Sequence, residues 1–184
     1  MRLETERLIL REWEDRDRPA LAAILGDATV RRFYPAPATF EQVSGQIDYS
    51  IEQARLNGFH MQAAELKLTG ELVGLIGIGV IPERTRQAIP GNPRVEIGWQ
   101  FAERFWGRGL APEAAKTWLE AGWSQFNLPE IVAFTATINL PSQRVMEKIG
   151  MSHDPAASFE HPNIAEGHPL RSHVLFRIVN PTQP

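Results

Sequence analysis

Gly107 and Gly109 stand two positions apart in Gly107-Arg108-Gly109-Leu110-Ala111, between the run Val95 to Phe101 and a segment that opens at Pro112. Glycines at that spacing let the backbone turn tightly and approach a ligand closely. A helix opening at Pro112 would aim its free N–H groups and the positive end of its dipole into the turn, which favours an anion. The chemistry read from these residues is the cradling of a phosphate or pyrophosphate, so the chain is expected to hold a phosphorylated cofactor.

Two common phosphate motifs do not fit. A dinucleotide fingerprint asks for a third glycine where Pro112 stands, and it belongs after a first strand rather than past mid-chain. A P-loop asks for Lys followed by Ser or Thr after its last glycine, and neither glycine here is followed that way.

The elements that must hold this turn are legible in the pattern. Arg7 to Trp13 is strand-length, and Asp15 to Asp17 with Pro19 opens a helix that Gly26 stops. Thr39 precedes a second helix whose apolar side is Phe40, Val43, Ile47 and Ile51, with Gly58 as its end. Phe59 to Leu68 and Leu72 to Ile81 flank Thr69-Gly70-Glu71 as a hairpin, and Pro82 to Pro93 reads as a polar loop. Val95 to Phe101 is a strand, Pro112 to about Gln125 a helix, Glu130 to Thr137 a strand, and Pro141 to Ile149 a short helix ended by Gly150. Arg171 to Ile178 is a last strand, with its partner around Met151 to Ser158. That order predicts an α+β sandwich, a mixed sheet covered by helices, in a single domain spanning 1–184.

Composition narrows the function classes. The 184 residues suffice for one substantial core, and 43% hydrophobic with 22% charged residues is ordinary for a globular protein. A net charge of −3 and a pI near 6.0 argue against nucleic acid as a partner, because backbone binders concentrate positive charge. With no cysteine, disulfides, thiol nucleophiles and zinc–thiolate sites are all excluded, and a reducing compartment is compatible. The N-terminus shows no apolar signal core and no run approaches membrane-spanning length, so the expectation is a cytoplasmic protein without a membrane partner, monomeric or homodimeric.

Arg104-Phe105-Trp106-Gly107-Arg108-Gly109-Leu110-Ala111 resembles the R/Q-x-x-G-x-G/A signature of the GNAT superfamily of acyl-CoA-dependent N-acetyltransferases. Three further segments resemble its ribosomal-protein-alanine acetyltransferase branch in the branch's order: Leu3 to Arg11, Glu96-Ile97-Gly98-Trp99, and Asn139 to Met151. The resemblance implies a three-layer fold with a mixed, splayed seven-stranded sheet flanked by about four helices. It also implies acetyl-CoA as cosubstrate, a primary amine (a protein N-terminus or a small molecule) as acceptor, and direct attack in a ternary complex. The alternative is a non-catalytic acyl-CoA-binding or sensing protein.

By the same resemblance, backbone amides of Gly107, Arg108, Gly109, Leu110 and Ala111 face the pyrophosphate, with Arg104 and Arg108 adding charge. Phe101 lies where the family binds the pantetheine arm through backbone groups, and its side chain is equally a core residue. Asn139 stands at a pantetheine-side position and equally suits a helix cap. Seven residues on, many family members carry a tyrosine that protonates the leaving thiolate; here Met146 stands there, and a thioether donates no proton. Ser142 is the substitute donor, or else a cap in the first helical turn, with solvent as the third possibility. Glu96 is the candidate base or water-orienting residue, or a partner in an ion pair, with Glu65 in reserve. His153, His161, His168 and His173 match no metal-binding spacing, so no metal is expected; His161 to Pro169 reads as a proline-stiffened loop of the acceptor pocket or as a connector.

Overall fold

Thr39 begins the longest helix with reciprocal bonds: its side chain accepts from the backbone N–H of Gln42, and the Gln42 side chain accepts from the backbone N–H of Thr39. In the computed structural model, which describes residues 1–182, this helix is the second of five. The elements run β1 (Leu3–Glu4), β2 (Leu8–Arg11), α1 (Asp17–Leu25), α2 (Phe40–Asn57), β3 (Gln62–Leu66), β4 (Leu72–Val80) and α3 (Glu83–Ala88). There follow β5 (Val95–Phe101), α4 (Leu110–Ser124), β6 (Glu130–Ala136), α5 (Leu140–Lys148), β7 (Ser152–Glu160) and β8 (Ser172–Val179).

The strands are hydrogen-bonded in the order β1-β2-β3-β4-β5-β6-β8-β7. β5 and β6 are parallel, while β1–β2, β2–β3, β3–β4, β6–β8 and β7–β8 are antiparallel, so the sheet is mixed as expected. β5 and β6, 7 residues each, pair at Glu96↔Val132.

Among the described residues the sheet has eight strands rather than seven, and there are five helices where about four were expected. The extra strand is β1, 2 residues long, paired Leu3↔Leu10 across a turn at Thr5, and too short to show a period. The extra helix is α3, inside the proline-bounded segment read as loop. Pro82 sits just before its first turn, where a missing N–H costs nothing, Glu83 pairs with Arg86, and Thr85 and Ile89 are buried. The apolar side of α2 is also narrower than its pattern suggests: Val43, Ile47 and Ser50 are buried, while Phe40 and Ile51 are exposed.

Contacts group the chain into two units. The first comprises Met1–Gly79 and Gly98–Trp118, and its core includes Leu8, Leu10, Leu21, Leu25, Val43, Ile47 and Trp118. The second comprises Val80–Ile97 and the chain from Leu119 on, with Ile81, Ile89, Val132, Ala157, Phe159 and Leu175 as a core cluster. Register partners lie on the same face of a sheet, and so do alternate residues of a strand. In the second unit Glu96, Val132, Phe134 and Ala136 therefore share a face with His173, Leu175 and Arg177.

Candidate active site

The glycine turn has the backbone geometry that an anion cradle requires. Gly107 and Gly109 have φ of 72° and 77°, a region that favours glycine, and a Cβ at Gly107 would meet nothing within 4 Å. The N–H groups of Gly107, Arg108 and Gly109 donate to no acceptor among the described residues, and α4 begins immediately after them. The helix opens at Leu110, two residues before the expected start, and Pro112 stands in its first turn, where its missing N–H has no role. Leu110 is buried and Ala111 half-buried. Free amides, a helix N-terminus and space for close approach fit a pyrophosphate.

The charged candidates beside the turn separate. Arg104 is exposed and bound to Glu71 at 2.6 Å, so its charge is already partnered. Arg108 has no carboxylate partner among the described residues and lies over the Phe105 ring, 5.7 Å from its centroid. The Phe101 side chain is buried, and its carbonyl accepts from Trp106 Nε1 at 2.7 Å. That carbonyl is therefore engaged within the protein.

Arg7 was missed by the sequence reading, which took it only as part of a strand. Its Nη1 donates to the Arg108 carbonyl at 2.9 Å, and its Nε and Nη2 engage Glu113 at 2.7 and 2.6 Å. Thr5 also hydrogen-bonds Glu113. Burial pushes the Glu113 carboxyl up, but hydrogen bonds from Thr5 and Arg7 outweigh it and hold the group below the usual carboxylate range. No local pattern announces a pair 106 residues apart.

Glu96, Asn139 and Ser142 lie in the second unit. The Glu96 carboxylate is half-buried on β5 with no ion-pair or hydrogen-bond partner among the described residues, and desolvation pushes its pKa up to about 7. An unpaired carboxyl that titrates near neutrality is suited to take a proton from an ammonium. The ion-pair alternative for this residue is not what the structure has.

Asn139 caps α5: its Oδ1 accepts from the Ser142 N–H at 3.3 Å while its Nδ2 donates to Thr135 Oγ1 at 2.8 Å. The cap is therefore Asn139, not Ser142, and the half-buried Ser142 hydroxyl has no hydrogen-bond partner among the described residues. Met146 is 2% exposed and belongs to the core.

Glu65, the reserve candidate, is ion-paired. Its carboxylate accepts from Arg11 at 2.7 Å, and Arg11 also grips Asp17 at 2.7 Å, which makes a structural ion network. The histidines divide. His161 and His173 meet with centroids 4.9 Å apart beside Phe134 and Phe159, His153 stacks on Phe176, and His168 Nδ1 accepts from the Leu170 N–H. His161 to Pro169 does form the loop between the last two strands, and burial with the neighbouring His173 lowers the His161 pKa to about 4.

The profile of the acetyltransferase (GNAT) domain matches residues 7–152. The uncharacterised N-acetyltransferase YnaD of Bacillus subtilis is 32% identical over 154 residues, 84% of each chain. A GNAT-family acetyltransferase from Bacillus anthracis superposes with a TM-score of 0.79 at 27% identity, covering 98% of this chain and 99% of that one. A ribosomal L7/L12 α-N-protein acetyltransferase solved with coenzyme A has a TM-score of 0.73, covering 97% and 98% of the two chains, and at 13% identity it shares the fold alone.

Proposed function

The chain belongs to the GNAT acetyltransferase family, and from that premise we propose that it moves the acetyl group of acetyl-CoA to a primary amine by direct attack in a ternary complex. The observation that carries this reading is the cradle of unpaired amides from Gly107 to Gly109 at the start of α4. The fold neighbour that holds coenzyme A supports the same cosubstrate.

In this reading the loop amides bind the pyrophosphate and Arg108 supplies the charge that Arg104, bound to Glu71, does not. Glu96 takes a proton from the acceptor ammonium, directly or through water. The amine nitrogen then bonds to the acetyl carbon, the carbon–sulfur bond breaks, and the second proton of the nitrogen passes to the departing thiolate, either relayed by the Ser142 hydroxyl, which gives one proton and takes another, or through solvent. A base near pKa 7 is half ionised at neutral pH, where proton transfer is most efficient. Resemblance of Leu3 to Arg11 to the ribosomal-protein branch favours a protein N-terminus as acceptor, and the cysteine-free composition suits the cytoplasm.

The test is a panel of amines, with peptides among them, assayed for release of CoA thiol and for acetylated product by mass spectrometry. Thiol release with a matching +acetyl product supports the reading. Acetyl-CoA binding without product on any amine would make the protein an acyl-CoA-binding one instead.

A further inference from the structure

Six arginines are partly buried: Arg11, Arg18, Arg31, Arg86, Arg171 and Arg177. Five of them hold a carboxylate within 3.2 Å, namely that of Asp17, Asp48, Glu83, Glu160 and Asp154 in turn. Arg31 holds none among the described residues. It lies between α1 and α2, and its guanidinium is oriented rather than loose. Nη1 donates to Gln100 Oε1 at 3.1 Å, Nε donates to the Ala36 carbonyl at 3.3 Å, and Cζ lies over the Tyr34 ring, 3.7 Å from its centroid. Nη2 has no acceptor among the described residues.

A guanidinium withdrawn from water without an opposing charge is costly, and desolvation lowers its pKa accordingly. Neutral acceptors and a ring face fix its geometry but leave its charge unanswered, which is how a site waiting for an oxyanion is built. Gln100, its anchor, stands on β5. Arg32, next in the chain, is likewise without a carboxylate among the described residues and lies over Trp106.

We propose that Arg31 is a specificity-determining residue that anchors an oxyanion, a carboxylate or phosphate, carried by the acceptor amine. This rests on the amine acetyltransferase reading. The acceptor is the partner favoured over the cofactor's pyrophosphate because the pyrophosphate already has the loop amides.

The experiment measures kcat and KM for matched amines: glycine and glycinamide, phosphoethanolamine and ethanolamine, and peptides with Glu or Gln as second residue. These arms separate a free carboxylate, a phosphate and a side-chain carboxylate. In at least one pair the oxyanion-bearing amine is preferred by the wild type, and Arg31→Gln lowers that preference about tenfold or more, through KM rather than kcat. Comparing the preference between variant and wild type cancels the amines' own pKa values. Arg31→Lys restores part of it, the neutral amines react as before, and acetyl-CoA affinity and melting temperature stay near the wild type. A preference that survives Arg31→Gln, or no preference in the wild type, overturns the proposal. Weakened acetyl-CoA binding in Arg31→Gln overturns it in favour of a cofactor phosphate. No product from any amine, with acetyl-CoA still bound, overturns the parent reading and this one with it.

Discussion

Arg7 binds Glu113 across 106 residues, by Nε at 2.7 Å and Nη2 at 2.6 Å, and the same guanidinium reaches back to the Arg108 carbonyl inside the glycine turn. One side chain thus ties the first turn of α4 to the loop that precedes it. The cradle is held from outside itself, and the loop amides need little further ordering when a ligand arrives.

Removing this tie should loosen the cradle without unfolding the protein. Because Arg7 is partly exposed, Arg7→Gln is expected to cost only about 1 kcal/mol of stability, or roughly 2–4 °C in Tm. Acetyl-CoA affinity should fall about threefold to tenfold. Calorimetric titration beside a thermal melt checks both, and an unchanged Kd would detach the tie from cofactor binding.

Acetyl-CoA at about a hundred times its Kd should raise Tm by roughly 5–10 °C, from about 2.7 kcal/mol of linkage. Gly109→Val should lose that rise. Its backbone sits at φ 77°, so the variant also starts less stable by about 1–2 kcal/mol, and its side chain would intrude where the phosphate approaches. The comparison is therefore each protein with and without ligand, and a full upshift in the variant would take the loop out of the site.

Glu96 supplies a pH signature with two parts. Acetylation should rise with pH through about 7 as the carboxyl ionises, and Glu96→Gln should remove that limb while lowering kcat about 10²–10⁴-fold for a lysine-like amine and less for an α-amine. For stability, a carboxyl whose folded pKa lies above its unfolded value penalises the fold as pH rises through that interval. Glu96→Gln should therefore melt above the wild type at pH 8, by up to about 3 kcal/mol, with the difference shrinking toward pH 4. Parallel melting curves across that range would contradict the shift.

Asn139 and Ser142 are separable because the cap belongs to Asn139 alone. Asn139→Ala should cost about 0.5–2 kcal/mol. Ser142→Ala should leave Tm within about 1 °C, as surface changes away from caps and cores do. If the hydroxyl serves the leaving thiolate, Ser142→Ala lowers kcat about tenfold to a hundredfold with acetyl-CoA binding intact. A normal single-turnover rate in that variant assigns the proton to solvent.

Met146→Tyr tests whether the common family tyrosine can simply be restored. With Met146 2% exposed in the core, the larger ring should overpack and cost about 1–3 kcal/mol without faster chemistry. A gain in kcat at wild-type Tm would show that the position reaches the thiol after all.

Local chemistry made much of this protein legible in advance. Thr39 ahead of the apolar positions Val43 and Ile47 marks the start of α2, the β-forming run bounds Val95–Phe101 as the structure has it, and the glycine turn needs only two residue types at one spacing. β1 and α3 were not legible, because two residues show no period and a short helix between prolines is stabilised by burial of Thr85 and Ile89 rather than by its own propensity. The sequence by itself determined the glycine turn and the family likeness. Only the tertiary structure decided which charges are free to act, since an ion pair depends on side chains brought together from distant parts of the chain. Arg104 and Glu65 met partners, while the half-buried Glu96 and Arg31 have no charged partner among the described residues.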